Sequence, residues 1–248
     1  MVVYSFVYET GSTPYLDKKA SYRMSTAPID MTITGDIIAV ADLMKSVSLV
    51  QFKKGRGGMP DSLDEIARHY ETSWATAVAK VDETTYLEAD AEGNLMVLNH
   101  EVNGFSEEDK RRLRVTSDIL LGEMVNRIRR IDVQPTPGAV VVPRAFIATV
   151  EGSIWLFALI SPSKQDLLMR LQENMAKMVQ SPGHVPFNKY RAFKTTIRES
   201  EEPTRFVDGE LIERFLDCDV ALQEKIVEGL DADVEDVRSM VEMLKRLH

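Results

Sequence analysis

The spacing of hydrophobic residues changes once along the chain, near residue 160. Before this point, apolar residues form short β-branched and aromatic runs that end at Gly, Asp, Asn or Pro, a pattern typical of strands and turns. After it, apolar residues recur at helical intervals, as in residues 167–179. The sequence therefore predicts a mainly β part at residues 1–160, followed by a small helical domain at residues 161–248.

The β part contains three copies of one two-strand unit. Each copy is a hydrophobic strand, a short polar turn and a second hydrophobic strand, at residues 37–52, 86–98 and 146–157. Aligning Asp42, Asp90 and Val150 gives spacings of 48 and 60 residues. Antiparallel sheets that repeat at about 40–50 residues are typical of β-propeller blades. We also interpret residues 75–81 and 125–131 as blade strands, and residues 103–114 as an exposed loop.

The repeat predicts a partial β-propeller. A propeller needs about four blades to close, and only three hairpins are present. Residues 2–6 resemble the outgoing strand at residues 47–52, so the chain opens within a repeat. We expect the missing blades to lie upstream or on another chain.

The helical part begins with a sequence that resembles a capping box, at residues 163–166. Pro182 and Gly183 mark the expected end of this first helix. Residues 210–216, 221–230 and 234–247 predict three shorter helices, and Asp233 is the expected N-cap of the last. Residues 181–209 form one long interruption of this pattern.

Composition and charge narrow the possible functions. The net charge is −9 over 248 residues, and acidic residues exceed basic ones in both parts. Because binding to nucleic acid of any sequence or to a membrane surface needs clustered basic residues, we expect neither. The single cysteine, Cys218, excludes an intramolecular disulfide, and the first residues do not resemble a signal peptide. We expect a soluble, intracellular protein.

No arrangement of residues predicts an enzyme, a metal site or a cofactor. Cys218 stands between two aspartates, which raise a thiol pKa, so we interpret it as a packing residue. Residues 55–58 lack the Lys-Ser/Thr of a phosphate-binding loop, and residues 231–236 lack the pattern of a calcium loop. The histidines lie outside any triad or metal motif: His69, His100, His184 and His248. We predict a non-enzymatic protein with no metal and no cofactor.

A protein-binding surface is the remaining candidate. Three small basic clusters occur, and the arginines of residues 127–130 alternate with isoleucines, so they fit one strand face that binds acidic or carbonyl groups. Apolar, Trp and Arg residues also collect where strands meet loops, which is the composition of a protein–protein hot spot. These residues are Leu43, Met44, Lys45, Arg68, Trp74, Met124 and Asn126. Trp74 is equally compatible with a place in a blade core.

Several motifs resemble the DNA damage-binding protein 1 family, whose members form the large subunit of the UV-damaged-DNA-binding complex. Gly35 and Asp36, followed by VADLMKSV at residues 40–47, are similar to the family signature GD…VGDLMRSV. Residues 65–68, 74–78, 121–126, 149–152 and 202–216 continue the match in register. The resemblance extends from residue 2 to residue 248 and so covers essentially the whole chain.

The resemblance implies the C-terminal portion of a scaffold of three propellers: the last blades of the third seven-bladed propeller and the helical C-terminal domain. In this family the scaffold is the adaptor of a cullin-4 RING ubiquitin ligase, which acts in DNA damage recognition, nucleotide-excision repair and protein ubiquitination, in the nucleus and also the cytoplasm. Cullin-4 binds the second propeller, which this chain lacks. WD40-type substrate receptors, including a damaged-DNA-binding subunit, insert a helical motif between the first and third propellers, so contact with DNA is indirect.

Carried over motif by motif, the resemblance implies eight receptor-facing positions: Ile29, Leu43, Lys45, Arg68, Trp74, Met124, Asn126 and Val150. Lys45 stands where the family usually has arginine, which removes a bidentate donor, and Met124 replaces a phenylalanine. Asp30 and Thr72 also differ from the animal pattern, which indicates a diverged lineage.

One alternative comes from the same superfamily, whose propeller subunits in pre-mRNA splicing and 3′-end cleavage complexes engage RNA. The motifs at residues 43–47 (LMKSV) and 209–215 (GELIERF) favour the repair adaptor. A stand-alone hydrolase is a further alternative, and no catalytic constellation supports it.

Overall fold

The computed structural model describes residues 1–247 and contains four antiparallel sheets followed by helices. The sheets are numbered I to IV in chain order. Sheet I contains β1 (Val2–Val7) and β2 (Tyr15–Ser21). Sheet II contains β3 (Pro28–Thr34), β4 (Ile37–Asp42), β5 (Ser46–Lys53) and β6 (Ser62–Arg68). Sheet III contains β7 (Ala75–Lys80), β8 (Thr85–Asp90), β9 (Asn94–His100) and β10 (Leu113–Leu120), and sheet IV contains β11 (Val125–Arg130), β12 (Val141–Thr149) and β13 (Ile154–Ile160).

Each of sheets II, III and IV is a meander in which neighbouring strands follow one another along the chain. The first strands of these sheets lie side by side, with β7 between β3 and β11. Meanders whose first strands share a common centre are the blades of a β-propeller. The prediction of a mainly β, partial propeller followed by a helical part is therefore confirmed.

Sheet III is buried on both faces, which explains its nearly continuous hydrophobic strands. In β8, Tyr86 packs towards sheet II, where it meets Leu49, whereas Leu87 packs towards sheet IV, where it meets Ile147. Successive side chains of a strand point to opposite faces, so each strand of the middle sheet supplies two cores.

Sheet I covers part of the other face of sheet II. Val3 of β1 and Ala20 of β2 pack with Val40 and Val50. Because β2 lies against β6, the outermost strand of sheet II, sheet I occupies the outer half of a blade position. The strand predicted at residues 2–6 is confirmed.

The turns between the second and third strands show that the predicted alignment of the repeats is off by one residue in sheet IV. Asp42 pairs with Ser46, and in sheet IV Ala148 pairs with Ile154, which makes Thr149 the counterpart of Asp42 and Asp90. The prediction that Val150 holds this position is wrong. Thr149 performs the task of the aspartate, because its hydroxyl accepts the Ser153 N–H at 3.0 Å, as a carboxylate oxygen of Asp90 accepts the Asn94 N–H at 2.9 Å.

The predicted loop at residues 103–114 is mostly exposed as far as Arg112 and also contains a short helix, but Leu113 is buried in the core, so the loop ends two residues earlier than expected. This helix, α1 (Glu107–Lys110), is capped by Ser106, whose hydroxyl accepts the Asp109 N–H at 3.0 Å. The last strand of sheet III then begins at Leu113.

Within residues 1–247, five α-helices follow the sheets: α2 (Pro162–Met178), α3 (Phe187–Arg191), α4 (Gly209–Glu213), α5 (Val220–Val227) and α6 (Val234–Lys245). The predicted capping box at residues 163–166 is wrong, because Ser161 is the N-cap and Pro162 occupies the first turn. The interruption at residues 181–209 contains a 3-10 turn and the short helix α3. Asp233 caps α6, as predicted, and accepts the Asp236 N–H at 2.8 Å.

The helices enclose a core of their own. Leu171 and Met175 of α2 pack against Ile212, Ile226 and Val241. Cys218 lies half-buried at the margin of this core, and burial raises the pKa of its thiol, which fits the predicted packing role. No helix within residues 1–247 is long and apolar enough to cross a membrane.

The chain leaves the helical part and returns to the sheets before α4. Phe193 packs in the core between sheets II and III, and the ring of Phe206 contacts that of Phe157. Arg191 is buried, pairs with Asp208 at 2.7 Å and donates to the Leu121 carbonyl at 3.2 Å. The division into domains at residues 160 and 161 stays a prediction.

Candidate protein-binding edge

The eight predicted site residues all lie at one edge of the three main sheets. At this edge the first strands begin, the second strands end and the third strands begin, and in sheets II and III the fourth strands end. We call it the upper edge. The residues brought together there come from positions up to 121 apart in the chain: Ile29, Leu43, Lys45, Arg68, Trp74, Met124, Asn126 and Val150.

One hydrogen bond repeats at the upper edge of each main sheet. The first residue of the turn after the second strand donates its N–H to the residue before the first strand. These bonds join Leu43 to the Ala27 carbonyl at 2.8 Å, Ala91 to the Trp74 carbonyl at 2.9 Å and Val150 to the Met124 carbonyl at 2.9 Å. Backbone bonds therefore hold the positions of Trp74 and Met124, and their side chains are free to face solvent.

The apolar residues of the upper edge are exposed. Trp74 is 58% exposed, which excludes a place in a blade core and answers the question that the sequence left open. Leu43, Met124, Val150 and Ile29 are also exposed. Exposed apolar side chains gathered on one edge are characteristic of protein-binding surfaces.

Buried aspartates make the turns of the upper edge rigid. Asp42 accepts the N–H of Thr26 at 2.9 Å and the hydroxyl of the same residue. Asp90 accepts the N–H groups of Glu92 and Asn94, and burial raises the pKa of its carboxyl. Ordered turns lose little conformational freedom when a partner binds.

The two basic residues predicted at this site, Lys45 and Arg68, differ in how free they are to contact a partner protein. Lys45 is exposed, and its ammonium group pairs with no carboxylate in the described part of the chain. The Arg68 side chain is only 26% exposed and pairs with Glu65 at 2.7 Å. Glu65 also accepts the Tyr22 hydroxyl at 2.7 Å, and burial together with this bond raises the pKa of Tyr22 to about 12. Arg68 is thus part of an internal network that joins sheets I and II.

One of the arginines at residues 127–130, which were predicted to bind acidic groups of a partner, already forms an ion pair within the chain. Arg127 pairs with Asp30 at 2.5 Å, and Asp30 accepts the Val78 N–H at 3.2 Å, so this ion pair connects the first strands of sheets II, III and IV. Asn126, next to Arg127, is exposed at the upper edge. Arg129 and Arg130 are exposed.

A cluster of buried polar residues lies beneath the upper edge, between sheets II and III. The ring of His69 is 4% exposed, and its Nδ1 atom is 2.9 Å from Glu88 and 2.6 Å from the Ser46 hydroxyl. The Ser46 and Ser73 hydroxyls both donate to Glu88. Serine and carboxylate contact the same ring nitrogen, which is not the geometry of a catalytic triad, where they occupy opposite nitrogens.

Sequence reasoning missed a hairpin that extends the upper edge outwards. Within residues 194–199, Thr196 N–H donates to Glu92 at 2.8 Å, and Arg198 pairs with Glu71 at 2.8 Å. At its tip, Ile197 is 86% exposed. These contacts join residues that are 104 and 127 positions apart in the chain, and the segment has no strand or helix periodicity, so no sequence signal was available.

The described residues contain no candidate metal site. Among residues 1–247, no group of three or more His, Cys, Asp or Glu side chains is arranged to hold a metal ion. His248 lies outside the described residues. The absence of a metal and a cofactor stays a prediction.

Comparison with known proteins identifies the family. A family model described as the CPSF A subunit region matches residues 4–217. Over 98% of its length the chain is 32% identical to DNA damage-binding protein 1 of Schizosaccharomyces pombe, and over 99% it is 31% identical to DNA damage-binding protein 1a of Arabidopsis thaliana. It is also 32% identical, over 98% of its length, to DNA damage-binding protein 1 of Drosophila melanogaster. The chain spans 22% of the length of each of these curated relatives. Its resemblance to DNA damage-binding protein 1 is therefore confirmed, and the chain belongs to the CPSF A subunit region family.

Proposed function

We propose that the chain is a non-enzymatic scaffold segment whose upper edge binds substrate receptors of the WD40 type, including a damaged-DNA-binding subunit. In this proposal it belongs to the adaptor of a cullin-4 RING ubiquitin ligase and acts in DNA damage recognition, nucleotide-excision repair and protein ubiquitination. Cullin-4 joins only through an upstream propeller, DNA is reached through a receptor, and the protein is nuclear and also cytoplasmic.

The observation that carries this proposal is the gathering of exposed apolar side chains on one rigid edge. Trp74, Met124 and Val150 come from separate connections, and each is positioned by the repeated backbone bond of the upper edge. Aromatic and apolar anchors on ordered backbone suit the apolar face of an amphipathic helix, which binds through residues one helical turn apart. Lys45 supplies a cation at the rim for acidic residues of the same helix.

A capture experiment with matched variants tests the proposal. Wild-type chain, the double variant Trp74→Ala/Met124→Glu and the control Met59→Glu are used to capture proteins from nuclear extract, which are identified by mass spectrometry. Met59 is 75% exposed and lies at the tip of the β5–β6 connection, on the opposite edge of sheet II. We expect WD40-type receptors with the wild type and the control, and their loss with the double variant.

Other outcomes contradict the proposal in distinguishable ways. Splicing or cleavage factors that are lost after ribonuclease treatment favour the RNA alternative. Equal capture of receptors by all three proteins removes the upper edge as the binding surface. Capture of cullin-4 without any receptor contradicts an indirect link to the ligase.

A further inference from the structure

The hairpin at residues 194–199 holds a defined conformation outside the main sheets. The Thr195 N–H donates to the Arg198 carbonyl at 2.7 Å, and the Thr195 hydroxyl accepts the Arg198 N–H at 3.0 Å and the Ile197 N–H at 3.3 Å. Lys194 and Glu199 close the hairpin through a β-bridge and an ion pair of 3.5 Å. A threonine that bonds to neighbouring backbone groups in this way stabilises a turn. Ile197, at the tip, is therefore presented on ordered backbone.

Side chains of sheet III attach the hairpin to the upper edge. The amide of Asn94 donates to the Lys194 carbonyl at 2.8 Å and accepts the Lys194 N–H at 3.0 Å. Asn94 is fully buried, and its amide also donates to Asp90 at 2.8 Å. Glu92 accepts the Thr196 N–H at 2.8 Å and the hydroxyl of the same residue at 3.2 Å. One turn of sheet III thus fixes two backbone positions of the hairpin.

A second attachment leads to the connection that carries Trp74. Arg198 pairs with Glu71 at 2.8 Å and with Asp118 at 3.2 Å. Glu71 precedes Trp74 by three residues, and the Trp74 carbonyl accepts the N–H of Ala91, in the turn of sheet III that binds the hairpin. The segments that hold Trp74 in position therefore also hold the hairpin.

The hairpin and the Trp74 connection both present an apolar side chain to solvent, whereas the polar groups that link them are engaged. Ile197 is 86% exposed and Trp74 is 58% exposed. The carboxylates of Glu71 and Glu92 accept hydrogen bonds from the hairpin. A partner that covers this surface with apolar side chains leaves these carboxylates paired, which avoids the cost of burying an unpaired charge. Exposed anchors within a rim of satisfied polar groups are the arrangement of a binding hot spot.

We propose that the hairpin is a second arm of the receptor-binding surface, in which Ile197 binds the same amphipathic helix of a receptor as Trp74. This inference rests on the proposed function and adds a binding residue from the helical part of the chain, whereas the eight predicted site residues all precede residue 160. Because the hairpin is bonded to the segments that position Trp74, one helix with apolar side chains at successive turns contacts both anchors. Glu92 is a positioning residue, because it acts on the receptor through the hairpin.

Photo-crosslinking with nuclear extract tests whether one receptor segment contacts both anchors. A benzophenone amino acid is placed at position 74, 197 or 220 in three otherwise identical proteins, and the crosslinked peptides are identified by mass spectrometry. Val220 is a matched control, because it is a β-branched residue that is 62% exposed at the start of α5. We expect positions 74 and 197 to yield adducts with the same WD40-type receptor, at sites within about 11 residues, or three helical turns, of each other. We expect no receptor adduct from position 220.

Affinity measurements test the positioning role of Glu92. The receptor that crosslinks at position 74 is purified and titrated with the wild type, Ile197→Ala, Glu92→Ala, the double variant and the control Val220→Ala. We expect Ile197→Ala to weaken binding by about fivefold, Glu92→Ala by about threefold and Val220→Ala not at all. We expect the double variant to lose no more than about fivefold, because the effects of residues that act through one another do not add.

The outcomes separate this inference from the proposed function. Receptor adducts from position 74 but none from position 197, or adducts at distant receptor segments, remove the hairpin from the interface and leave the proposed function intact. Adducts from position 220 as strong as those from position 197, or adducts from position 197 alone, also overturn the inference. If neither position 74 nor position 197 yields a receptor adduct, the proposed function fails and the inference fails with it. A loss of about fifteenfold in the double variant, the product of two independent effects, contradicts the role of Glu92.

Discussion

At the scale of single residues, backbone bonds decide which side chains are free to bind. Trp74 is the clearest case, because its carbonyl is held by Ala91 while its indole faces solvent. Arg68 is the opposite case, because its guanidinium group belongs to a network with Glu65 and Tyr22. Sequence reasoning placed both in one set, since residue type indicates what a side chain is able to bind but not which neighbours already engage it.

Replacing Trp74 tests the separation of binding from folding. We expect Trp74→Ala to weaken receptor binding by about thirtyfold, corresponding to about 2 kcal/mol for a hot-spot residue. We expect the melting temperature to fall by no more than about 2 °C, because an exposed side chain contributes little to stability. Titration calorimetry and thermal unfolding measure the two effects. A large fall in melting temperature would return Trp74 to a structural role.

Replacing Arg191, in contrast to replacing Trp74, is expected to lower the stability of the fold. Arg191→Leu leaves Asp208 buried without its cation, so we expect the free energy of unfolding to fall by about 3–5 kcal/mol. Arg246→Leu is the matched control, because Arg246 is exposed and its contact with Glu242 is 3.8 Å long, so we expect a loss of at most about 1 kcal/mol. Urea denaturation measures both, and equal losses would contradict the importance of the buried pair.

At the scale of elements, the strands were predictable because the core is built from alternating faces. The hydrophobic runs of sheet III reflect burial on both faces, and the N-cap of α6 was recognisable at Asp233. The counterpart of Asp42 in sheet IV was not recognisable, because the hydroxyl of Thr149 replaces a carboxylate there. Contacts with residues distant in the chain stabilise the five-residue α3 and the hairpin at residues 194–199. The local spacing of hydrophobic residues does not reveal such contacts.

The hairpin at residues 194–199 is expected to contribute to receptor binding. Ile197 is exposed beside the upper edge, on a turn fixed by the bonds of its neighbours to Glu92 and Glu71. We expect Ile197→Glu to weaken receptor binding by about tenfold without changing the stability of the fold. Met59→Glu places the same change on the opposite edge, and we expect it to leave binding unchanged. Identical affinities for the two variants would exclude the hairpin from the interface.

At the scale of the whole molecule, the sheets and helices share contacts that tie them together. Phe193 enters the core between sheets II and III, and the backbone of Thr204 exchanges two hydrogen bonds with that of Asp118. We therefore expect one cooperative unfolding transition in urea, with coincident curves from circular dichroism and tryptophan fluorescence. Loss of the helical signal in a separate transition would contradict this coupling.

Site-specific photo-crosslinking shows whether a receptor binds at the upper edge, as proposed. A benzophenone amino acid is introduced at position 74 in one protein and at position 59 in another, and each is irradiated with nuclear extract. We predict a covalent adduct with WD40-type receptors from position 74 and none from position 59. Receptor adducts from position 59 alone, or adducts from position 74 with RNA-binding factors only, would contradict the claim.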